Sequence, residues 1–346
     1  MDILYIGRRE GTSYHRAQAL RRLGHSVTIV NLRRILIEKT PGLSSYLLSR
    51  WIRHTGALFL ERWFLKGIQS SAIWGRTFDL AHVNDVATVG PSLAKELRTR
   101  CERLSCYVND DPFGDRDGPK WRLFLKAVPK YDLITVIRET NVHEAYDYGA
   151  KDVYRVYRSA DEVVHAPHEI NREDREELGS KVAFAGTWFP ERGPFMKRLI
   201  ERGVPLTIRG DRWRKADEWN TIEPCWEGPA LEGRDYTRFL QCADICLGLV
   251  SQGNRDLHTG RSVEIPYSGS LLCAKRTKEH RHLYEEGEEA VFWDDAKECA
   301  EVCFDLLSDN RRLQEIARSG RQRCIENGHT NENVMEEIVK YLRSRN

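Results

Sequence analysis

Short, almost wholly apolar runs recur along the chain, each closed by a polar turn and followed by a stretch of helical periodicity. A run without polar alternation must be covered on both faces, which points to a parallel sheet between helix layers. The runs lie at 3–6, 26–30, 79–83, 104–108 and 132–137, and again at 181–186, 205–210, 244–250, 271–275 and 290–293. Between the two sets, the charged stretch 168–180 (HEINREDREELGS) has no strand pattern and reads as a connection carrying a short helix. The opening is βαβ: a strand, the loop GRREGTSYH, a helix over 16–23 with Ala17, Leu20 and Leu23 in phase, and Gly24 as its stop. The rhythm restarts at KVAFAG, and after residue 293 the chain is almost wholly helical. Two Rossmann-like α/β halves and a helical tail are therefore expected, in a chain of 346 residues that is long enough for two cores.

Composition narrows the function classes. With 54 Lys+Arg against 52 Asp+Glu the formal charge is +2, so a dedicated nucleic-acid binder is not expected. Nine cysteines include no C-x-x-C pair, and Cys242/Cys246 and Cys299/Cys303, four apart in apolar stretches, read as core rather than as metal ligands. The chain enters a strand at once, without a signal-peptide pattern, and no apolar run is long enough to span a bilayer; a cytoplasmic protein with reduced thiols is expected. The segment 46–70 stands apart, interleaving Trp51, Phe59, Trp63 and Phe64 with Arg50, Arg53, Arg62 and Lys66, and Glu61 is its only acid. A helix packing its aromatics on a core is the favoured reading, with peripheral membrane or acceptor contact as the other.

The first loop holds Gly7 and Gly11 but no G-x-G-x-x-G, and a P-loop is missing, so neither a dinucleotide nor a nucleoside triphosphate site of those kinds is indicated. The second half offers more. Arg192 lies near a helix start after the strand ending at Gly186, where unpaired N–H groups favour an anion. In RDLHTGRSVEIPYSGSLL, a helix starting near Gly260 or Arg261 would face the loop holding Asp256 and His258, with Arg261 available to a phosphate. Glu264, one turn on, can accept from both hydroxyls of a ribose, and Asp256 from a second sugar. Two acids flanking a phosphate site match the layout sugar–diphosphate–ribose.

These motifs carry a resemblance. KVAFAGTWFPERG, TIRGDRW, the RSVEI helix start, YEEGEEAVFW and IARSGRQRC resemble the C-terminal domain of GT-B glycosyltransferases, most closely the spore-maturation CgeB-type group, which is similar to the large retaining family four. NDDPFG and YDLITVIRETNVHEAYDYGA resemble the N-terminal half of the same group. The resemblance implies a GT-B fold with a cleft between two Rossmann-like domains: an acceptor domain over 1–167, a donor domain over 168–328, and a C-terminal helix over 329–346 returning to the first. The family's E-x7-E element is matched as Asp256-x7-Glu264, which assigns the ribose to Glu264 and the transferred sugar to Asp256, shorter by one methylene than the usual Glu. Arg192 matches the family's diphosphate contact, Thr187 stands where many relatives carry Arg, and Arg261 is a second candidate. Gly186, Gly210, Gly228, Thr259 and Gly260 complete the expected donor set; His15, Asp110 and Asp111 are the acceptor-side candidates. The implied reaction is sugar transfer from a nucleoside diphosphate, with UDP expected as the commonest base, to a hydroxyl of a carbohydrate, small molecule or protein. Retention and the absence of a metal or other cofactor are part of that implication. A nucleotide-sugar epimerase or hydrolase of the same fold, or a non-catalytic sugar-nucleotide binder, are the alternatives.

Overall fold

The computed structural model describes residues 1–57 and 59–345. It divides into two compact units, one comprising Met1–Tyr157, Gly253–Arg255 and Asn331–Asn346, the other Arg158–Gln252 and Asp256–Thr330.

The first unit runs β1 (Asp2–Ile6), α1 (Gly11–Arg22), β2 (Ser26–Val30), α2 (Leu32–Lys39), α3 (Ser45–Thr55), α4 (Glu61–Gln69), β3 (Phe78–Val83), α5 (Pro91–Leu97), β4 (Cys101–Val108), α6 (Arg122–Ala127), β5 (Leu133–Val136), α7 (Glu139–Asp147) and β6 (Val153–Arg155). Its sheet has the order β2-β1-β3-β4-β5-β6, every pairing parallel. Alternation along each strand splits the apolar runs between two layers. Leu4, Ile6, Ala81, Val83, Cys106 and Val108 enter one core with helices α2 to α6. Ile3, Tyr5, Leu80, Tyr107 and Leu133 enter the other, with Ala17 and Leu20 of α1.

The second unit runs α8 (Arg172–Leu178), β7 (Ser180–Ala185), α9 (Arg192–Glu201), β8 (Leu206–Arg209), α10 (Trp219–Ile222), α11 (Gly233–Gln241), β9 (Ala243–Gly248), α12 (Arg261–Tyr267), β10 (Leu271–Lys275), α13 (Lys278–Leu283), β11 (Val291–Trp293), α14 (Ala296–Ser308) and α15 (Asn310–Glu326). Its sheet order, β11-β10-β9-β7-β8, is again all parallel. In both sheets the second strand lies on one side of the first and the third on the other. That places the reversal of winding beside β1 and beside β7, where open α/β sheets bind ligands at the strands' carboxyl ends.

The last helix, α16 (Asn331–Ser344), belongs to the first unit. Val334, Met335, Ile338 and Leu342, spaced at one turn, join the α1 layer. Glu332 pairs with Arg22, and Tyr341 lies 4.6 Å from the Tyr154 ring and donates to Asp152 at 3.0 Å.

Three expectations are corrected. The first unit's opening stretch ends at Tyr157 rather than at 167. The segment from Arg158 onward is held by the second unit: Arg158 N donates to His258 Nε2 (2.9 Å), Thr237 Oγ1 to the Val164 carbonyl (2.8 Å), and His168 N to Gln241 (2.9 Å). Helix α1 begins at Gly11, not Arg16, so His15 sits within the helix instead of the preceding loop. The segment 46–70 is two helices around a turn, and of its four named aromatics only Phe64 is buried. Leu58 in that segment and Asn346 at the tail lie outside the described residues.

Candidate functional site

The carboxyl ends of β7, β8 and β9 bring most of the expected donor residues of the second unit together. Strand β7 ends at Ala185, and Gly186 N donates to the Arg209 carbonyl (2.9 Å), binding the turns after β7 and β8 backbone to backbone. Gly210 makes that approach feasible: with φ +153°, a Cβ there would stand 2.0 Å from the Gly186 carbonyl oxygen. Trp213 Nε1 donates to the same oxygen (2.9 Å), and Gly210 N to the Gly228 carbonyl (3.0 Å). The expected glycines thus build the floor of the site through their backbones. Thr187 follows, and its carbonyl accepts from Arg192.

The two arginines turn out to be unlike. Arg192, first residue of α9, is only 7% exposed; its guanidinium donates to the Thr187 carbonyl (2.7 Å) and the Leu249 carbonyl (3.4 Å) and lies 4.6 Å from the Phe189 ring. It ties the loop after β7 to the loop after β9. Arg261, first residue of α12, has a side chain 39% exposed. Its Nε donates to the Ala185 carbonyl (3.1 Å) and its Nη1 is 3.8 Å from Glu264. Arg261 is therefore fixed at one nitrogen with part of its side chain accessible, which suits a phosphate-binding guanidinium.

Glu264, in the first turn of α12, is the buried acid of the site. Its Oε2 accepts from the Tyr236 hydroxyl (2.7 Å) of α11. Burial opposes ionisation, but Arg261, His165, the Tyr236 hydroxyl and Arg158 outweigh it and hold the carboxyl below its ordinary value. Gly260 packs closely beside it: a Cβ at that position would lie 2.7 Å from Glu264 Oε1 and would push the carboxylate aside. An ionised, pre-oriented carboxylate with one oxygen already bonded leaves the other to accept from a ligand hydroxyl.

A layer of polar contacts holds the start of α12 from below. His258 accepts from Arg158 N at Nε2, so its Nδ1 carries the proton and donates to Glu279 (2.5 Å). Thr277 Oγ1 donates to the Leu257 carbonyl (2.5 Å). Ser262 Oγ accepts from Thr259 N (2.9 Å) and lies 2.7 Å from His280 Nε2. Burial lowers the pKa of His280 to about 4, so the ring is neutral. Asp256 is buried, and its N–H closes a turn on the Ser251 carbonyl (3.1 Å).

The acceptor-side candidates lie in the first unit, on α1 and just after β4. His15 is half-buried on α1, next to Arg16, whose guanidinium lies 3.9 Å from the Tyr107 ring. Asp110 pairs with Lys120 (3.1 Å). Asp111 is buried and serves as an anchor: Arg255 binds it in bidentate fashion (2.6 and 2.8 Å), Asn141 Nδ2 donates at 2.9 Å and Gly114 N at 3.1 Å. Despite burial, Arg255 and Asn141 keep its carboxyl below the ordinary range. Arg255 also bridges to Glu144 (2.6 Å), and Arg138 Nε donates to the Asn254 carbonyl (2.6 Å), so the short segment Gly253–Arg255 is held within the first unit. Among the described residues, one set of side chains has metal-like proximity: Cys273, Cys299 and Cys303, whose sulfurs lie within 4.8 Å of one another in the second unit's core. Cys242 and Cys246 are also buried, the latter in β9.

Sequence reasoning missed Tyr236, His165, Arg158 and Arg255. A tyrosine on the buried face of an amphipathic helix reads as core, and nothing local marks a partner 28 residues away.

Comparison with known proteins bears on the fold that carries these residues. Residues 192–340 match a family described as glycosyl transferase-like. No curated protein matches the chain in sequence. Among solved structures, a sucrose-phosphate synthase from Thermosynechococcus elongatus superposes with a TM-score of 0.68 at 12% identity, covering 99% of this chain and 98% of that one. HepE of Anabaena, solved with UDP and glucose, gives 0.67 at 13% identity over 99% and 100%. An E. coli protein described as trehalose-6-phosphate, bound with UDP-2-fluoro glucose, gives 0.64 at 12% identity over 99% of both. At these identities the likeness establishes the fold, which is the GT-B fold of glycosyltransferases.

Proposed function

We propose that the protein is a glycosyltransferase that moves a sugar from a nucleoside diphosphate, UDP being the expected one, to an acceptor hydroxyl. The observation that carries the reading is the buried, ionised Glu264 beside the partly exposed Arg261 at the winding reversal of the second sheet. A carboxylate acceptor next to a guanidinium donor suits a ribose joined to a diphosphate. Support from outside comes from the glycosyl transferase-like match over residues 192–340 and from the UDP and UDP-sugar ligands of the structural neighbours HepE and the E. coli protein. The motifs YEEGEEAVFW and IARSGRQRC favour the CgeB-type group within the fold.

In the transfer, the bond from the sugar's C1 to the β-phosphate oxygen breaks and its electron pair leaves with the diphosphate. The acceptor oxygen forms the new bond to C1, and its proton passes to the departing diphosphate. Charge develops on the diphosphate, where Arg261 stabilises it from a fixed position, the kind of preorganised electrostatics that dominates such steps. Arg192 acts through the loops it ties together, and Glu264 positions the nucleoside. Asp256 meets the transferred sugar; His15 and Asp110 are the acceptor-side groups, with Asp111 holding the loop through Arg255. Retention of anomeric configuration and activity without a bound metal belong to the same proposal and rest on the resemblance.

The test is product analysis by mass spectrometry, with UDP-, GDP- and dTDP-sugars offered with and without a panel of acceptors, in EDTA. A new glycoside supports the reading. Hydrolysis or epimerisation that no acceptor diverts identifies the alternative enzyme classes, and binding without turnover identifies a sensor.

A further inference from the structure

We infer that the first unit carries a membrane-docking face, formed by α3, the turn after it and α4, that binds the surface of an anionic bilayer. The evidence is what these elements leave outside. On α3, Leu48 and Ile52 point into the core, while Arg53, Tyr46, Arg50, His54, Leu47 and Trp51 fall on the outer face. At about 100° per residue these six follow one another around an arc of roughly 160°. On α4, Phe64 and Ile68 are buried and Arg62, Trp63 and Lys66 are exposed. Trp51 is 45% exposed, Trp63 58% and Phe59, in the turn, 78%. Large aromatics gathered on an outer face are uncommon unless something covers them.

The turn presents Phe59 deliberately. Gly56 adopts φ +67°, and two residues with side chains, Ala57 and Phe59, hold φ of +56° and +65°, a region that bulky residues rarely occupy. Such a backbone persists where surrounding structure enforces it and tends to mark a functional segment. Here it leaves the most exposed large apolar side chain of the described residues standing out in solvent.

Charge decides what the face binds. The segment's only acid, Glu61, is turned inward: its Oε1 accepts from Ser92 N (2.6 Å) and Leu93 N (3.1 Å) at the start of α5. The outer face is then basic throughout, with Arg50, Arg53, Arg62 and Lys66 forming no ion pair among the described residues. Aromatic rings that settle at the interface, interleaved with cations, are the pattern of a peripheral helix on anionic lipid. No helix of the described residues is long and apolar enough to cross a membrane, so the contact is with the surface. A flexible acidic protein would not call for three projecting rings, and single-stranded nucleic acid is tested below. The inference does not depend on the reaction carried out by the second unit.

The experiment is flotation of the full chain with vesicles of phosphatidylcholine alone and of phosphatidylcholine mixed with phosphatidylglycerol. Two variants accompany the wild type, Trp51→Ser/Phe59→Ser/Trp63→Ser and Arg50→Gln/Arg53→Gln/Arg62→Gln/Lys66→Gln; all seven positions are exposed, and an unchanged melting temperature confirms intact folding. Wild-type protein should float with the anionic vesicles and not with the neutral ones. Each variant should bind at least about tenfold more weakly, as removing three interfacial rings or four interfacial charges requires. No flotation, equal flotation on neutral vesicles, or unchanged binding by either variant overturns the inference. Tight binding to an unstructured single-stranded oligonucleotide with no flotation overturns it in favour of nucleic acid.

Discussion

Replacing Glu264 by Gln keeps the side chain's size and removes its charge, which makes it the sharpest probe of the donor site. In the wild type, Oε2 accepts from Tyr236 at 2.7 Å and the carboxylate stands 3.8 Å from Arg261. A hydrogen bond to a charged group contributes about 1.5–3 kcal/mol and one between neutral groups about 1 kcal/mol. The amide retains the neutral bond to a ribose hydroxyl and loses the difference, about 0.5–2 kcal/mol, which weakens nucleotide binding by roughly 2- to 30-fold. Stability should fall by a similar, small amount, because the half-exposed Arg261 can be hydrated once its partner is neutral. Isothermal titration with UDP and with 2′-deoxy-UDP separates the two effects. The wild type should prefer UDP, and the variant should prefer it less, as a double-mutant cycle requires of interacting groups. A variant that binds both nucleotides within twofold of the wild type would refute the assignment of Glu264 to the ribose.

Three further outcomes follow from the geometry. Arg261→Ala should fold normally and lose on the order of a hundredfold in turnover, whereas Arg192→Ala should lower stability by about 2–4 kcal/mol, since its removal strands two carbonyls and the Phe189 ring; thermal melts and steady-state rates distinguish them. Asp111→Asn should cost about 2 kcal/mol in chemical denaturation by breaking the bidentate pair with Arg255, and raise proteolysis within 251–256. His280, held neutral with a pKa of about 4 against 6.5 for the free side chain, gives stability that is fully present above pH 6.5 and is lost as the pH falls through 4, because the unfolded chain takes up the proton first. Denaturant titrations from pH 7 to 4 should show the total loss of stability reduced by about 3 kcal/mol in His280→Gln; an unchanged loss would place the histidine's contribution elsewhere.

Most strands were legible because a parallel strand covered on both faces writes itself as a continuous apolar run, as in ILYI or DICLGL. Strand β6 was not: it is three residues at the sheet edge, and only Val153 among them is buried. The early start of α1 escaped because Glu10 provides no side-chain cap and Gly11 opens the helix at φ +55°. In the site, the acids and arginines near α12 are close in sequence, so spacing alone could relate Asp256, Arg261 and Glu264. Their supports are not local. Asp111 and Arg255 are 144 residues apart and Tyr236 and Glu264 28, and no periodicity joins them. The difference between Arg192 and Arg261 is likewise invisible in sequence, since it depends on which main-chain carbonyls each guanidinium meets.

The most direct measurement is a crystal structure of the protein soaked with UDP. The account predicts both ribose hydroxyls within hydrogen-bonding distance of Glu264 and the diphosphate against the tip of Arg261. A nucleotide bound elsewhere, with Glu264 still facing only Tyr236 and Arg261, would contradict it.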